Sequence, residues 1–367
     1  MRALWILVYI LSVGISPQLK AQDRKIVPSD KDQIVFLGLK SEYGFIIPHS
    51  EELKPVSETN PWGISIDVSR MRLSDKAWNN CNCYSKVGFS FSYINFGNPQ
   101  ELGNSYSLRF FLEPLITYKS RLYTTMRLGI GATYLNRVFD EVDNPRNTFY
   151  SSVISFPLFV ALSANYNINK SWHLNLNANY NHISNGGINQ PNRGINYPTI
   201  SLGLDYLLRP RDFPVRDKTK DNNSYKWRPY VGLFGTTRSV DDTDESDRRR
   251  LTIGLNGGLT RKISRIYGVN IGLEASYDGS HDEKNDSGGD YNTFIFSVMA
   301  GHSLNFGRYE FSQQFGLYLD SPDPNDRIIF QRYALDYHIS PNIKAGFSLK
   351  AHGHVAQNID LRVGYIF

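Results

Sequence analysis

Residues 172–184 read Trp-His-Leu-Asn-Leu-Asn-Ala-Asn-Tyr-Asn-His-Ile-Ser, and this strict alternation is what most limits the fold. The even positions begin with Trp172, Leu174, Leu176, Ala178 and Tyr180; the odd ones run His173, Asn175, Asn177, Asn179 and Asn181. Successive side chains on a strand point to opposite faces, so one face here is apolar and the other is amide. On a helix the same apolar set would spiral around the axis, which excludes a helix. Few soluble sheets alternate apolar and amide so strictly. A barrel strand with lipid outside and a polar lumen inside does.

Similar segments recur near 36–47, 61–72, 87–96, 105–118, 121–139, 151–168, 171–184 and 196–208, and again near 226–239, 249–263, 266–279, 293–305, 309–319, 328–339, 343–356 and 359–367. Their connections alternate in length. Tyr118–Arg121, Asn167–Ser171 and Asn305–Arg308 are tight turns, whereas 48–60, 140–150, 185–195, 240–248, 280–291 and 320–327 are long and polar. Short periplasmic turns and long outer loops are the rule in outer-membrane barrels. The segment after Cys81 and Cys83 departs from it, being on the turn side yet longer than a turn. These cysteines, one residue apart, would meet an oxidising compartment after export, where they could bond; no third or fourth ligand lies nearby for a metal. The closing Val-Gly-Tyr-Ile-Phe resembles the last strand of outer-membrane barrels.

The reading is therefore an all-β, transmembrane antiparallel β-barrel protein of about sixteen strands in two halves of about eight. Met1-Arg2, the apolar run Ala3–Ile15, and Leu19-Lys20-Ala21-Gln22 have the layout of a cleavable signal peptide over residues 1–21. The first barrel half then takes 22–208, a linker 209–225, and the second half 226–367. Arg209–Lys226 is rich in charge and proline, and is either a linker between tandem barrels or one irregular turn in a single larger barrel. The balance leans to two halves.

Parity turns Ile64, Ile66, Leu108, Phe110, Leu128, Ile130, Leu158, Val160, Leu174, Leu176, Leu202 and Leu204 toward lipid. It turns Lys40, Glu42, Asp67, Arg109, Glu113, Arg127 and Asp205 inward, and in the second half Glu274, Glu310, Arg332, Asp336, Lys350 and Arg362. Buried charges must be paired, and a narrow, side-chain-filled barrel suits this mixture of signs. Aromatic residues make up 13% of the chain and 23 residues are Tyr, which suits a membrane–water boundary. The net charge of +5 is mild and forms no basic stripe, so no nucleic-acid partner is expected. The dense charge runs Asp241–Arg250 and Arg209–Asp221 read as solvated connections.

One stretch carries a chemical pattern: His182-Ile183-Ser184-Asn185-Gly186-Gly187-Ile188-Asn189-Gln190-Pro191-Asn192-Arg193-Gly194-Ile195-Asn196. His182 and Ser184 share a strand face, the one carrying Leu174, Leu176 and Tyr180. A polar pair facing lipid is costly unless it has a use. Serine becomes a nucleophile when a base accepts its proton, and imidazole is the usual base. The glycines that follow let backbone N–H groups turn toward a developing oxyanion. The competing reading makes His182 and Ser184 interfacial polar residues at a strand end.

His-x-Ser-Asn, then Pro-Asn-x-Gly, then Tyr197-Pro198-Thr199-Ile200-Ser201-Leu202-Gly203-Leu204 resembles the lipid A 3-O-deacylase family over roughly 35–208. The whole is similar to acyloxyacyl hydrolase-like outer-membrane proteins of Bacteroidetes, through Phe96-Gly97-Asn98-Pro99, Leu102-Gly103, Ser348-Leu349-Lys350-Ala351-His352 and Gly364-Tyr365. The resemblance implies a Ser–His–Glu triad near the outer leaflet that cleaves an ester-linked acyl chain of lipid A. By position, His182 is the base, Ser184 the nucleophile, and Asn185 with Gly186 the oxyanion-hole contributors. The acidic member falls on Asn196, a departure. An amide can orient an imidazole but cannot balance an imidazolium, and the analogous Asp→Asn change in a serine protease costs about 10⁴ in rate. Lipid A, or lipopolysaccharide, is the implied partner, with no cofactor and no metal. A non-catalytic barrel, porin or scaffold, is the alternative.

The remaining candidates are weaker. His352 and His354 point inward beside Lys350, with no serine placed for attack. His49, His281 and His338 fall in or near connections. Arg248-Arg249-Arg250 could hold lipid A phosphates, against the plainer reading of a solvated loop.

Overall fold

The computed structural model describes residues 33–48, 51–119, 121–218, 225–240, 248–286, 288–322, 328–353 and 355–367. The expected signal peptide, His49 and His354 lie outside them. Two closed antiparallel barrels of eight strands each stand where either one or two were possible. The first runs β1 (Gln33–Gly44), β2 (Trp62–Arg72), β3 (Ser85–Asn95), β4 (Asn104–Lys119), β5 (Leu122–Leu135), β6 (Ile154–Asn167), β7 (Trp172–Ser184) and β8 (Ile195–Leu207). The second runs β9 (Arg228–Ser239), β10 (Arg249–Lys262), β11 (Tyr267–Asp278), β12 (Phe294–Phe306), β13 (Tyr309–Tyr318), β14 (Ile329–His338), β15 (Ile343–His352) and β16 (Val355–Ile366). Each strand pairs with its neighbours in sequence. Closure comes from β8 on β1, with Leu39 opposite Leu204, and from β16 on β9, with Val363 opposite Leu233.

The final hairpin differs from expectation. A strand over 343–356 and another from 359 were expected; the turn comes earlier, at Gly353, whose φ of +66° suits a residue without a Cβ. A register shift at Lys350/Ala351 precedes it, so simple alternation misplaces the end.

Side-chain parity is as read. The outward apolar residues face outward, although Leu128 and Ile130 are half-buried and Phe110 is half-covered by Tyr309 of the second barrel, ring centroids 5.4 Å apart. Most of the inward charges pair, while Glu42 accepts from Thr199 Oγ1 at 2.9 Å and Arg109 donates to Ser90 Oγ at 3.4 Å. In the first barrel Asp67 binds Lys40 at 2.8 Å and Arg127 at 2.7 Å, and Lys86 binds Asp205 at 2.9 Å. In the second, Arg332 bonds Glu274 at 2.7 Å and also Asp360, while Lys344 reaches Glu310 at 2.7 Å and Asp336 at 2.9 Å. The asparagines of β7 join this interior: Asn177 Nδ2 donates to Ser201 Oγ at 2.9 Å and Asn179 Nδ2 to Thr199 Oγ1 at 3.0 Å. Their amides replace the water an open lumen would have supplied.

Both ends of the first barrel are closed by apolar clusters. At the turn end Ile34, Phe36, Met71, Tyr84, Tyr123 and Leu207 pack with Phe213. The charged run beginning at Arg209 departs from the expected solvated connection: Phe213 is buried, and Arg216 donates to Tyr84 Oη at 2.8 Å and Leu73 O at 2.9 Å. The connection thus seals the barrel it leaves. A helix, Asp75–Trp78, and the Cys81–Cys83 disulfide account for the longer turn-side segment.

At the loop end the long connections are structured. Leu53, Val56, Phe96, Leu102, Phe149 and Tyr150 pack against Ile183 and Ile195. Asn144 and Asn147 each donate to Glu101 O at 2.9 Å, and Tyr150 Oη donates to Leu102 O at 2.9 Å. Burial pushes the Tyr150 phenol well above its ordinary pKa, which keeps it a donor. In the second barrel the polar stretch after β11 folds as a helix, Gly279–Asp286, with His281 buried.

Candidate functional site

The site begins with the ladder that joins β7 and β8. Ala178 faces Ile200, Tyr180 faces Pro198, and His182 faces Asn196. All lie on the outward face, so the alternation that sends Asn181 and Tyr197 inward sends His182 and Asn196 outward. Pro198 does not break this parity. Ser184, two residues beyond His182, lies on the same face opposite Phe156 of β6. Both His182 and Ser184 are half-buried.

His182 Nδ1 is 2.6 Å from Asn196 Oδ1. An amide oxygen only accepts, so Nδ1 carries the proton, and in the neutral ring Nε2 then keeps the lone pair. Gly194 lies against the other side of the ring: a Cβ there would sit 2.7 Å from His182 Cε1 and 3.3 Å from Nε2. With φ +68° and its N–H donated to Phe149 O at 2.8 Å, Gly194 is fixed by the loop-end cluster and sets one wall for the imidazole. Sequence reading placed Gly194 in the Pro-Asn-x-Gly element without giving it this part; a lone glycine before a strand reads first as a turn residue.

Asn185 is fully buried. Its backbone N–H donates to Asn192 Oδ1 at 3.0 Å, and its Nδ2 to Ser152 Oγ at 3.0 Å and Asn189 O at 2.8 Å. Its Oδ1 accepts from Gly187 N at 3.0 Å and Ile188 N at 3.2 Å. The donors of Asn185 are thus engaged inside the loop, and its side chain shapes the turn that follows Ser184. Gly186, at φ +69°, carries the next backbone N–H.

The other candidates disperse. His352 Nε2 is 3.1 Å from Tyr318 Oη inside the second barrel, and His338 Nε2 is 2.8 Å from Glu310 Oε2. His281 Nδ1 is 2.8 Å from Asn292 O. Arg248 and Arg250 form ion pairs with Glu283 at 2.5 and 2.7 Å. Arg249 turns instead to the first barrel, donating to Ile188 O at 2.6 Å. Among the described residues no group of acidic, histidine or cysteine side chains is arranged to hold a metal.

Two family models match the chain: "Lipid A 3-O-deacylase (PagL)" over residues 61–205 and "Acyloxyacyl hydrolase, C-terminal domain" over 227–367. They leave out only 1–60 and 206–226. No curated protein matches. Among solved structures, the outer membrane enzyme PagL is 14% identical with a TM-score of 0.34, covering 45% of this chain and 97% of that one. Neisserial surface protein A is 11% identical with a TM-score of 0.31, covering 47% and 96%. The siderophore receptor PirA from Acinetobacter baumannii is 12% identical with a TM-score of 0.25, covering 88% and 56%.

Proposed function

We propose, from the match of residues 61–205 to the lipid A 3-O-deacylase family and of 227–367 to the acyloxyacyl hydrolase C-terminal domain, that the chain is an outer-membrane esterase removing an ester-linked acyl chain from lipid A. The observation that carries the reading is the 2.6 Å contact between His182 Nδ1 and Asn196 Oδ1, on the outward face that also bears Ser184. Ser184 Oγ attacks the acyl carbonyl as its proton passes to Nε2 of His182. The Gly186 N–H, with Asn185 holding its turn, meets the oxyanion. As the bond between the acyl carbon and the sugar oxygen breaks, the imidazolium gives its proton to that oxygen, which leaves as the sugar hydroxyl, and water then hydrolyses the acyl-serine by the same relay. The loop end lies at the outer leaflet, so lipopolysaccharide reaches the site laterally.

The porin alternative loses ground to the interior. The lumen of the first barrel is filled by paired charges and closed by apolar clusters at both ends, and a filled barrel offers no aqueous path. Mass spectrometry of lipid A from cells with and without the protein tests the proposal. The expected result is a species lighter by one acyl chain only where the protein is present. Identical lipid A, together with no hydrolysis of a simple ester by the purified protein, would return it to the scaffold class.

A further inference from the structure

The second barrel touches the first at the turn that follows Ser184. A Cβ on Gly186 would lie 2.2 Å from Ile359 Cδ1, and one on Gly187 would lie 2.6 Å from Gln357 O. Arg249 Nη1 donates to Ile188 O at 2.6 Å, while its Nη2 donates to Thr237 O at 2.5 Å and its Nε to Thr237 Oγ1 at 3.0 Å. The guanidinium is thereby fixed to β9 on one side and to the turn on the other. A rigid fork held on a strand positions its partner more firmly than a flexible ammonium would.

We infer that the second barrel is a positioning element for the site on the first, with Arg249 and Ile359 holding Gly186-Gly187-Ile188 in the conformation that presents the oxyanion-binding N–H. The inference rests on the esterase reading above and assigns the second barrel its part in it. Asn185 ties the turn from inside through Gly187 N and Ile188 N; Arg249 ties it from outside through Ile188 O. Without the outer tie the positive-φ glycines are free to sample other conformations, and donors that must be preorganised lose their alignment. Three donors of Arg249 are thereby engaged on protein oxygens, and its two neighbours are paired with Glu283.

The test uses the full-length barrel in detergent with lipopolysaccharide as substrate. Arg249→Ala, Arg249→Lys and Ile359→Ala are compared with wild type by acyl-release kinetics, by hydrogen exchange over 185–190, and by heat-modifiable migration to report the folded fraction. Losing alignment of an oxyanion donor should lower kcat of Arg249→Ala by about tenfold or more. KM should stay within about twofold, exchange should quicken at 187–188, and Lys should restore part of the rate. Unchanged exchange and rate overturn the inference. So does a raised KM at constant kcat, which would make Arg249 a substrate contact, or a rate loss that merely follows the unfolded fraction. Should wild type release no acyl chain, the esterase reading falls, and exchange alone then decides whether the turn is clamped.

Discussion

His182 Nδ1 lies 2.6 Å from Asn196 Oδ1, between residues that face each other across the β7–β8 ladder. The contact fixes the tautomer and aims Nε2, which is half of what the third member of a serine triad does. The other half, stabilising the imidazolium, calls for a negative charge that an amide lacks. As a member of the proposed triad, Asn196 would orient the imidazole yet leave it electrostatically weak.

Ser184→Ala and His182→Ala should each lower acyl release by at least about a thousandfold, because nucleophile and base act as one unit. Both side chains face outward, clear of the ion pairs inside the barrel, so both variants should keep the heat-modifiable band. Residual activity near wild type in either, with the band intact, would remove that residue from the mechanism.

The strands could be read from sequence because lipid and lumen impose opposite demands on alternate residues; Asn175 to Asn181 show this most plainly. The loop end could not. Asn144 and Asn147 lie in a connection that reads only as long and polar, and Asn185 reads as an oxyanion-hole contributor, yet all three are buried and spend their amides on protein oxygen atoms. Alternation also says nothing about which strands close a ring, since Leu39 and Leu204 meet only through long-range pairing. At the site, spacing placed His182 and Ser184 on one face, and counting by twos placed Asn196 there as well. The part of Gly194 depends on an imidazole approaching from another strand, which spacing cannot show.

Gly194→Ala should lower kcat while leaving the barrel folded. Its Cβ would meet His182 Cε1 at 2.7 Å, and at φ +68° a side chain costs about 1–2 kcal/mol. The ring must swing away from Asn196 or the loop must shift. Steady-state kinetics with lipopolysaccharide would show a fall of about tenfold or more, since a displacement of about 1 Å can cost a hundredfold. Unchanged kinetics would mean that the imidazole does not depend on this wall.

Asp67→Ala should destabilise the first barrel without touching the site. Asp67 binds both Lys40 and Arg127, and its removal leaves two buried cations short of an acceptor. Breaking such a pair from one side costs about 3–5 kcal/mol. Urea unfolding monitored by the heat-modifiable band should show a lower midpoint. If the midpoint does not move, the interior charges are solvated and the filled-lumen argument against a pore weakens.

Asn196→Asp should raise esterase activity. The substitution keeps the side-chain length, so a carboxylate oxygen can occupy the place of Oδ1, 2.6 Å from His182 Nδ1. Glu is a methylene longer and would have to fold back, so its gain should be smaller in this chain even though the family pattern places Glu here. The hydrogen bond then joins a charged acceptor to a ring that becomes cationic as Ser184 attacks. Charge-assisted bonds contribute about 1.5–3 kcal/mol, against roughly 1 kcal/mol for a neutral one, so a gain of about tenfold in kcat is expected. A carboxylate beside the ring also favours its protonated form. The limb of the pH–rate profile that reports deprotonation of the base should therefore move to higher pH in the Asp variant, and it would stay in place if the imidazole were not the base. If the Asp variant is slower than wild type at every pH, the amide is a fitted orienting group, and the site works as a Ser–His–Asn triad whose acceptor is best left neutral.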